Sequence, residues 1–183
     1  MNDDPLEEAR VIARVQEGDA EAYDTLVSKY LRRVAAIAWS ITRNAHDAED
    51  LAQEAFVRAF QSIGRFRANQ PFGPWIGRIV TNLSLDVMKH RRKFRHEELA
   101  DTRPAARRDD ADVAAVSNAI GARIDAAMES LPEMQRLVAR LYLVEEIPHA
   151  EIAAVLDLSE GTVRAHLSHA RTKLKEQLAD LYD

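Results

Sequence analysis

IPHAEIAAVLDLSEGTV, residues 147–163, is the stretch that decides how this chain is read. It is a helix-turn-helix pattern. Small Ala153 allows two helices to cross closely, Leu158 plugs the turn, Ser159 is placed to cap the second helix, and Val163 with Leu167 closes the core.

Downstream, Val163, Leu167, Ala170, Leu174 and Leu178 form an apolar stripe, while Arg164, His166, Ser168, His169, Arg171, Lys173 and Lys175 occupy the other faces. Residues 162–175 contain no Asp or Glu. Such a helix suits a major groove, with its N-terminal part at base edges and its later cations on phosphates. Upstream, Ile120, Ile124, Ala127 and Leu131 suggest a leading helix. Pro132 can start the next one, which is expected to bury Leu137, Leu141 and Val144. Residues 119–183 are therefore read as one small helical domain.

The rest of the chain is also read as helical, because apolar residues recur at helical spacing and no segment sustains strand alternation. Residues 97–118 lose that period and become rich in Asp, Arg and Ala, with Pro104, so they are read as a flexible linker. Its 22 residues reach about 75 Å extended and roughly 25 Å as a relaxed coil. Residues 1–96 then form a second domain. A first helix carries Leu6, Ala9, Ile12 and Val15 and ends near Gly18. Asp19 can cap the next, with Ala22, Leu26, Tyr30, Val34, Ile37 and Ile41 on one face, and Asn44 breaks it. The third buries Leu51, Ala55, Phe56, Ala59, Phe60 and Ile63, leaving Asp47, Asp50, Gln53, Glu54 and Arg58 outside. A fourth places Trp75, Ile76, Ile79, Val80, Leu83 and Val87 at helical intervals. The fold class is all-α, with two small helical domains and a flexible connection.

Charge is unevenly spread. The chain carries −5 overall, yet residues 65–96 hold eight basic residues against the single acid Asp86. Phe66, Phe72, Trp75 and Phe94 lie among those cations, a mixture that suits nucleic acid whose bases can be stacked upon while cations follow phosphates. The acidic remainder should weaken free binding, although attraction to phosphate acts locally, over a Debye length of about 8 Å at physiological salt.

Composition closes off other classes. The 183 residues contain no cysteine, which excludes disulfides, thiolate catalysis and cysteine-ligated metal within the chain. No apolar run approaches the ~20 residues of a membrane span, and the acidic N-terminus is unlike a signal peptide, so the expected location is the cytoplasm without membrane insertion. No cofactor, metal or small-molecule ligand is expected. His46, Asp47, Glu49 and Asp50 could be imagined as a metal cluster, but such groups at a helix start usually serve as caps and dipole partners. With no Gly-rich phosphate loop and no nucleophile motif, the chain is not read as an enzyme.

Taken in order, these residues resemble the extracytoplasmic-function (ECF) group of bacterial sigma factors, the promoter-recognition subunits of RNA polymerase in the sigma-70 family. The likeness runs from about Val11 to Leu178. The string from Asp47 to Phe56 resembles the family's core-binding helix; Phe66, Arg67, Phe72, Trp75, Ile76, Arg78, Ile79 and Asn82 resemble its promoter-melting segment; and Leu131 to Lys175 resemble its second DNA-binding domain.

The resemblance implies roles for particular residues. Asp47, Asp50, Gln53 and Glu54 would dock on the clamp helices of the polymerase's largest subunit, with a further contact at the flap region. Asp50, Gln53 and Glu54 lie at i, i+3 and i+4, so one surface presents all three. Arg58, Phe66, Arg67, Asn69, Phe72, Trp75, Arg78, Asn82, Lys89, Arg91 and Arg92 would recognise and melt the minus-ten element, a base being flipped into a pocket at the loop from Arg67 to Phe72. Ser159, Thr162, Arg164, His166, Ser168, His169, Arg171, Lys173 and Lys175 would read the minus-thirty-five element. His166 and His169 stand where relatives often carry arginine, which implies weaker phosphate binding. An anti-sigma factor is the expected controlling partner. A stand-alone helix-turn-helix regulator is the rival reading, though it leaves the basic aromatic segment and the Asp50 surface without a purpose.

Overall fold

The computed structural model describes residues 5–67, 70–98 and 112–181. Among them are eight α-helices and no strand: α1 (Pro5–Gln16), α2 (Ala20–Thr42), α3 (Ala45–Ser62), α4 (Phe72–Glu98), α5 (Asp112–Glu129), α6 (Glu133–Leu143), α7 (His149–Leu156) and α8 (Glu160–Gln177). The boundaries follow local chemistry. The Asp19 side chain accepts from the Ala22 amide, Asn44 from Asp47, and Ser159 from Thr162, so three helices start on capping oxygens. Gly18 turns the chain between α1 and α2 at φ +101°, a conformation any β-carbon would strain.

Helices α1 to α4 bury Ile12, Val15, Leu26, Ile37, Ala55, Phe56, Phe72, Ile76 and Val80 between them. Two polar links tie the bundle together. The Tyr23 hydroxyl donates to the Phe56 carbonyl at 2.7 Å, and Gln16 Nε2 donates to the carbonyls of Ile63 and Phe66, both at 2.8 Å. Neither is visible as a sequence period, because each joins residues far apart in the chain.

Helices α5 to α8 form the second unit around Leu137, Leu141, Ile147, Ile152, Val163 and Leu167. Met128, Leu131, Ala139 and Ala170 make a smaller cluster where α5 leaves it. The segment read as linker is partly helical, since α4 runs to Glu98 and α5 begins at Asp112. The two units also pack on each other. One apolar core runs from Ile12 through Val80 to Val155 and Leu167, with α7 laid against α4 and α6 against α2.

Four residues read into apolar helix stripes are exposed. Phe60 is 44% exposed, Val144 is 56% exposed, and Ile120 and Ile124 are also exposed. Helical spacing marks an apolar stripe but cannot say where its covering neighbour stops.

Candidate functional site

Asp50, Gln53 and Glu54 lie exposed together along α3, as their spacing requires. Two exposed apolar residues, Val57 and Phe60, extend that surface toward the C-terminal end of the helix. Val57 could have been found, since it falls off the buried period of Leu51, Ala55 and Ala59. Glu54 pairs with Arg58 at 2.7 Å, and Asp50 lies 3.6 Å from His46. Asp47 stands apart from this surface: it is largely covered and receives two hydrogen bonds from Arg91 of α4, one at 2.7 Å. Those bonds hold its carboxyl below the usual carboxylate range.

The aromatic residues of the basic segment divide into two kinds. Phe66 and Phe72 are buried, at 7% and 0% exposure, and form an edge-packed cluster with Trp75 and Tyr30. The expectation that they stack on bases is corrected: their faces are spent on the core. Glu8 anchors this cluster, accepting from the Phe72 amide at 3.0 Å, from Lys29 at 2.8 Å and from the Tyr30 hydroxyl. Burial pushes the Glu8 carboxyl up, but those donors together hold it below its ordinary value. Glu8 was missed in the sequence because it reads as one more acid in the first turn of α1.

Trp75 is half-buried and tilted on Phe66 at 4.5 Å between ring centres, leaving part of its surface available. Arg67, Asn82, Lys89 and Arg91 are exposed. Arg78 is also exposed but engaged: its guanidinium donates to the Ala154 carbonyl at 2.9 and 3.2 Å, and lies 3.5 Å from Asp157. Asn69 lies outside the described residues, and the side chain of Arg92 does too.

In the second unit, α7 ends on Asp157 in the left-handed conformation at φ 57°, and α8 starts three residues later at Glu160. The Thr162 hydroxyl shares a 2.8 Å hydrogen bond with Ser159, fixing the first turn of α8. Arg164, Ser168, His169, Arg171, Lys173 and Lys175 are exposed and His166 is half-buried. Arg164 is drawn toward Glu160 at 3.4 Å, while Arg171 sits over the Tyr142 ring, which stacks in turn on His149. The exposed α8 face is thus cationic and built on a capped helix. It can lie along a polyanion.

Comparison with known proteins fits this geometry. Residues 26–94 match the family described as Sigma-70 region 2, and residues 121–174 match Sigma-70, region 4. The ECF RNA polymerase sigma factor SigE of Mycolicibacterium smegmatis is 33% identical over 180 residues, covering 97% of this chain and 70% of the relative. The chain belongs to the ECF sigma factors. This sigma factor is also similar to a solved structure of CnrH in complex with the cytosolic domain of CnrY. That likeness has a TM-score of 0.70 at 25% identity and covers 97% of this chain and 99% of that one. The sigma factor RpoE from Bartonella quintana, solved with the anti-sigma factor NepR, shares the fold at 20% identity and a TM-score of 0.65, over 87% and 98% of the two chains. The region 2 match takes in the α3 surface and the basic segment; the region 4 match takes in the helix-turn-helix.

Among the described residues no group of His, Asp and Glu is placed to hold a metal ion, and no helix is long and apolar enough to cross a membrane.

Proposed function

We propose that this ECF sigma factor joins core RNA polymerase and initiates transcription at particular promoters, acting in the cytoplasm and without catalysis of its own. Residues 1–96 serve the polymerase and the minus-ten element, and residues 119–183 the minus-thirty-five element. The observation that carries this reading is the exposed surface of Asp50, Gln53 and Glu54 on the first unit. A stand-alone DNA-binding regulator would have no use for an acidic face beside its basic segment. The polymerase clamp helices meet that face, with Val57 and Phe60 adding apolar area.

On the DNA side, Trp75 and Asn82 remain candidates for separating strands and reading unpaired bases, with Arg67, Lys89 and Arg91 on phosphate. Phe66 and Phe72 act one step behind, as the support on which Trp75 rests. Unstacking a base costs a few kcal/mol, which ring stacking and an amide on the base edge can offset. Arg164 and Ser168 face base edges in the upstream element, and Arg171, Lys173 and Lys175 face phosphate. An anti-sigma factor supplies control, as the cysteine-free chain contains no thiol to sense a redox signal.

The test is run-off transcription with purified core polymerase on a genomic fragment library. The expected result is initiation at a restricted set of sites that disappears when Asp50, Gln53 and Glu54 are replaced together by Lys. Tight promoter binding by the isolated chain, with no specific initiation on adding core, would establish the stand-alone regulator instead.

A further inference from the structure

The C-terminal end of α2 meets α5, α6 and α8 around an open cleft of about 1170 Å³, a little above the roughly 300 to 1,000 Å³ usual for small-molecule sites. Its lining repeats one pairing. α2 supplies Trp39 with Arg43, α6 supplies Val144 with Arg140, and α8 supplies Leu174 with Arg171. In each pair the apolar residue and the cation lie three or four positions apart, so one helix face presents both. Ile124, Leu143 and Val144, which also line the cleft, are 44%, 46% and 56% exposed, so the described residues leave this apolar surface uncovered.

The charges do not balance. Arg43, Arg140, Arg171 and Lys175 line the cleft against two acids, Asp125 and Glu176. Asp125 is already engaged by Arg43 at 3.2 Å, and the Arg43 guanidinium lies 4.0 Å over the Trp39 ring. Arg140 is unlike the other three, for its side chain is only 6% exposed. It donates to Glu129 at 2.8 Å and to the Ser40 carbonyl at 3.5 Å. A guanidinium carries five N–H donors, so two acceptors leave capacity for a further one. Glu129 itself is 57% exposed, which makes it a weak counter-ion for a buried cation.

We propose that this cleft binds a single-chain amphiphilic anion, a fatty acid, with its carboxylate drawn to Arg140 and the neighbouring cations and its chain laid on Trp39, Ile124, Leu143 and Val144. Apolar area alone would accept a protein helix or a second copy of the chain. The buried guanidinium selects a thinner occupant, because a helix about 10 Å across cannot follow a cation beneath the surface, whereas a carboxylate on a slender tail can. The site stands independently of the promoter reading, since its test needs neither polymerase nor DNA.

The full-length Trp75→Phe variant keeps Trp39 as its remaining tryptophan, a reporter inside the cleft. Titration with 12-bromododecanoate should quench that fluorescence saturably, at one molecule per chain and below the concentration at which the acid forms micelles. Unbrominated dodecanoate should reverse the quenching, and dodecanol should compete about ten-fold more weakly or worse, as it lacks the charge. Arg140→Met in the same background should weaken binding by about ten-fold or more. Val144→Glu, at an exposed position that leaves the core untouched, should abolish saturation with helix content unchanged, which keeps the test decisive where Arg140→Met does not fold. Absence of saturable quenching in a folded chain, dodecanol binding as tightly as dodecanoate, or undiminished binding by Val144→Glu would each overturn the proposal. A chain that sediments as a dimer, and becomes a monomer on Val144→Glu, would give the cleft to a second copy and overturn it equally.

Discussion

Asp47 near the start of α3 and Arg91 in the second half of α4 hold each other, with Arg91 Nη2 donating to Asp47 Oδ1 at 2.7 Å. One residue was expected to face polymerase and the other DNA, and the structure couples them. The pair is partly solvated, with the Arg91 side chain 48% and the Asp47 side chain 17% exposed, so it contributes at most about 1 kcal/mol to stability. Its consequence concerns DNA. Arg91 can reach phosphate only by exchanging one anion for another.

Replacing Asp47 by Ala should therefore release a cation. Binding of the isolated chain to nonspecific duplex is expected to tighten, and the slope of log affinity against log salt to steepen by about one unit, the signature of one further phosphate contact. Unchanged slope in a fluorescence titration would mean that Arg91 serves only the fold.

Phe72 offers a test of packing against base stacking. Phe72→Ala should destabilise the chain by about 3 to 5 kcal/mol, read as a shift of the urea midpoint. Phe72→Leu should cost about 1.5 kcal/mol or less and leave promoter opening with core polymerase near the wild-type level, since an aliphatic side chain can fill the space but cannot stack on a base. Loss of opening in the folded Leu variant would restore the role read from the sequence.

Acid sensitivity should centre on Glu8. Its donors hold the folded carboxyl below the ordinary value of 4.5, so the unfolded chain takes up the proton first as pH falls. The stabilisation is fully present above about pH 4.5 and is lost as pH drops through the lower folded value. Urea unfolding between pH 7 and pH 3 should show this decline, and Glu8→Gln should flatten it while lowering stability at neutral pH. Parallel curves for the two proteins would contradict the assignment.

His169 is exposed on α8. His169→Arg should tighten holoenzyme binding to a cognate promoter and increase its salt dependence, because a guanidinium always carries a full charge for phosphate. Equal affinity and slope would place His169 away from phosphate.

Local chemistry in the sequence was enough for the helices and for much of the candidate surface. Asp19, Asn44 and Ser159 act at helix starts as their side chains dictate, and the spacing of Asp50, Gln53 and Glu54 puts them on one face whatever the rest of the chain does. The acid-free run of α8 and its apolar stripe were equally legible. Aromatic character was not enough for Phe66 and Phe72, because a ring beside cations has the same composition whether it faces solvent or core.

What the sequence by itself determined was which segments are helices, which faces are apolar, and which carry one sign of charge, all of them properties of residues a few positions apart. Only the tertiary structure decided that Phe72 is core, that Glu8 gathers three donors, that Asp47 is tied to Arg91, and that Val155 rests on Gly77. These pairings join residues from 21 to 78 positions apart, and which of many apolar or charged surfaces meet over such a distance is settled by packing the whole chain, not by any local period.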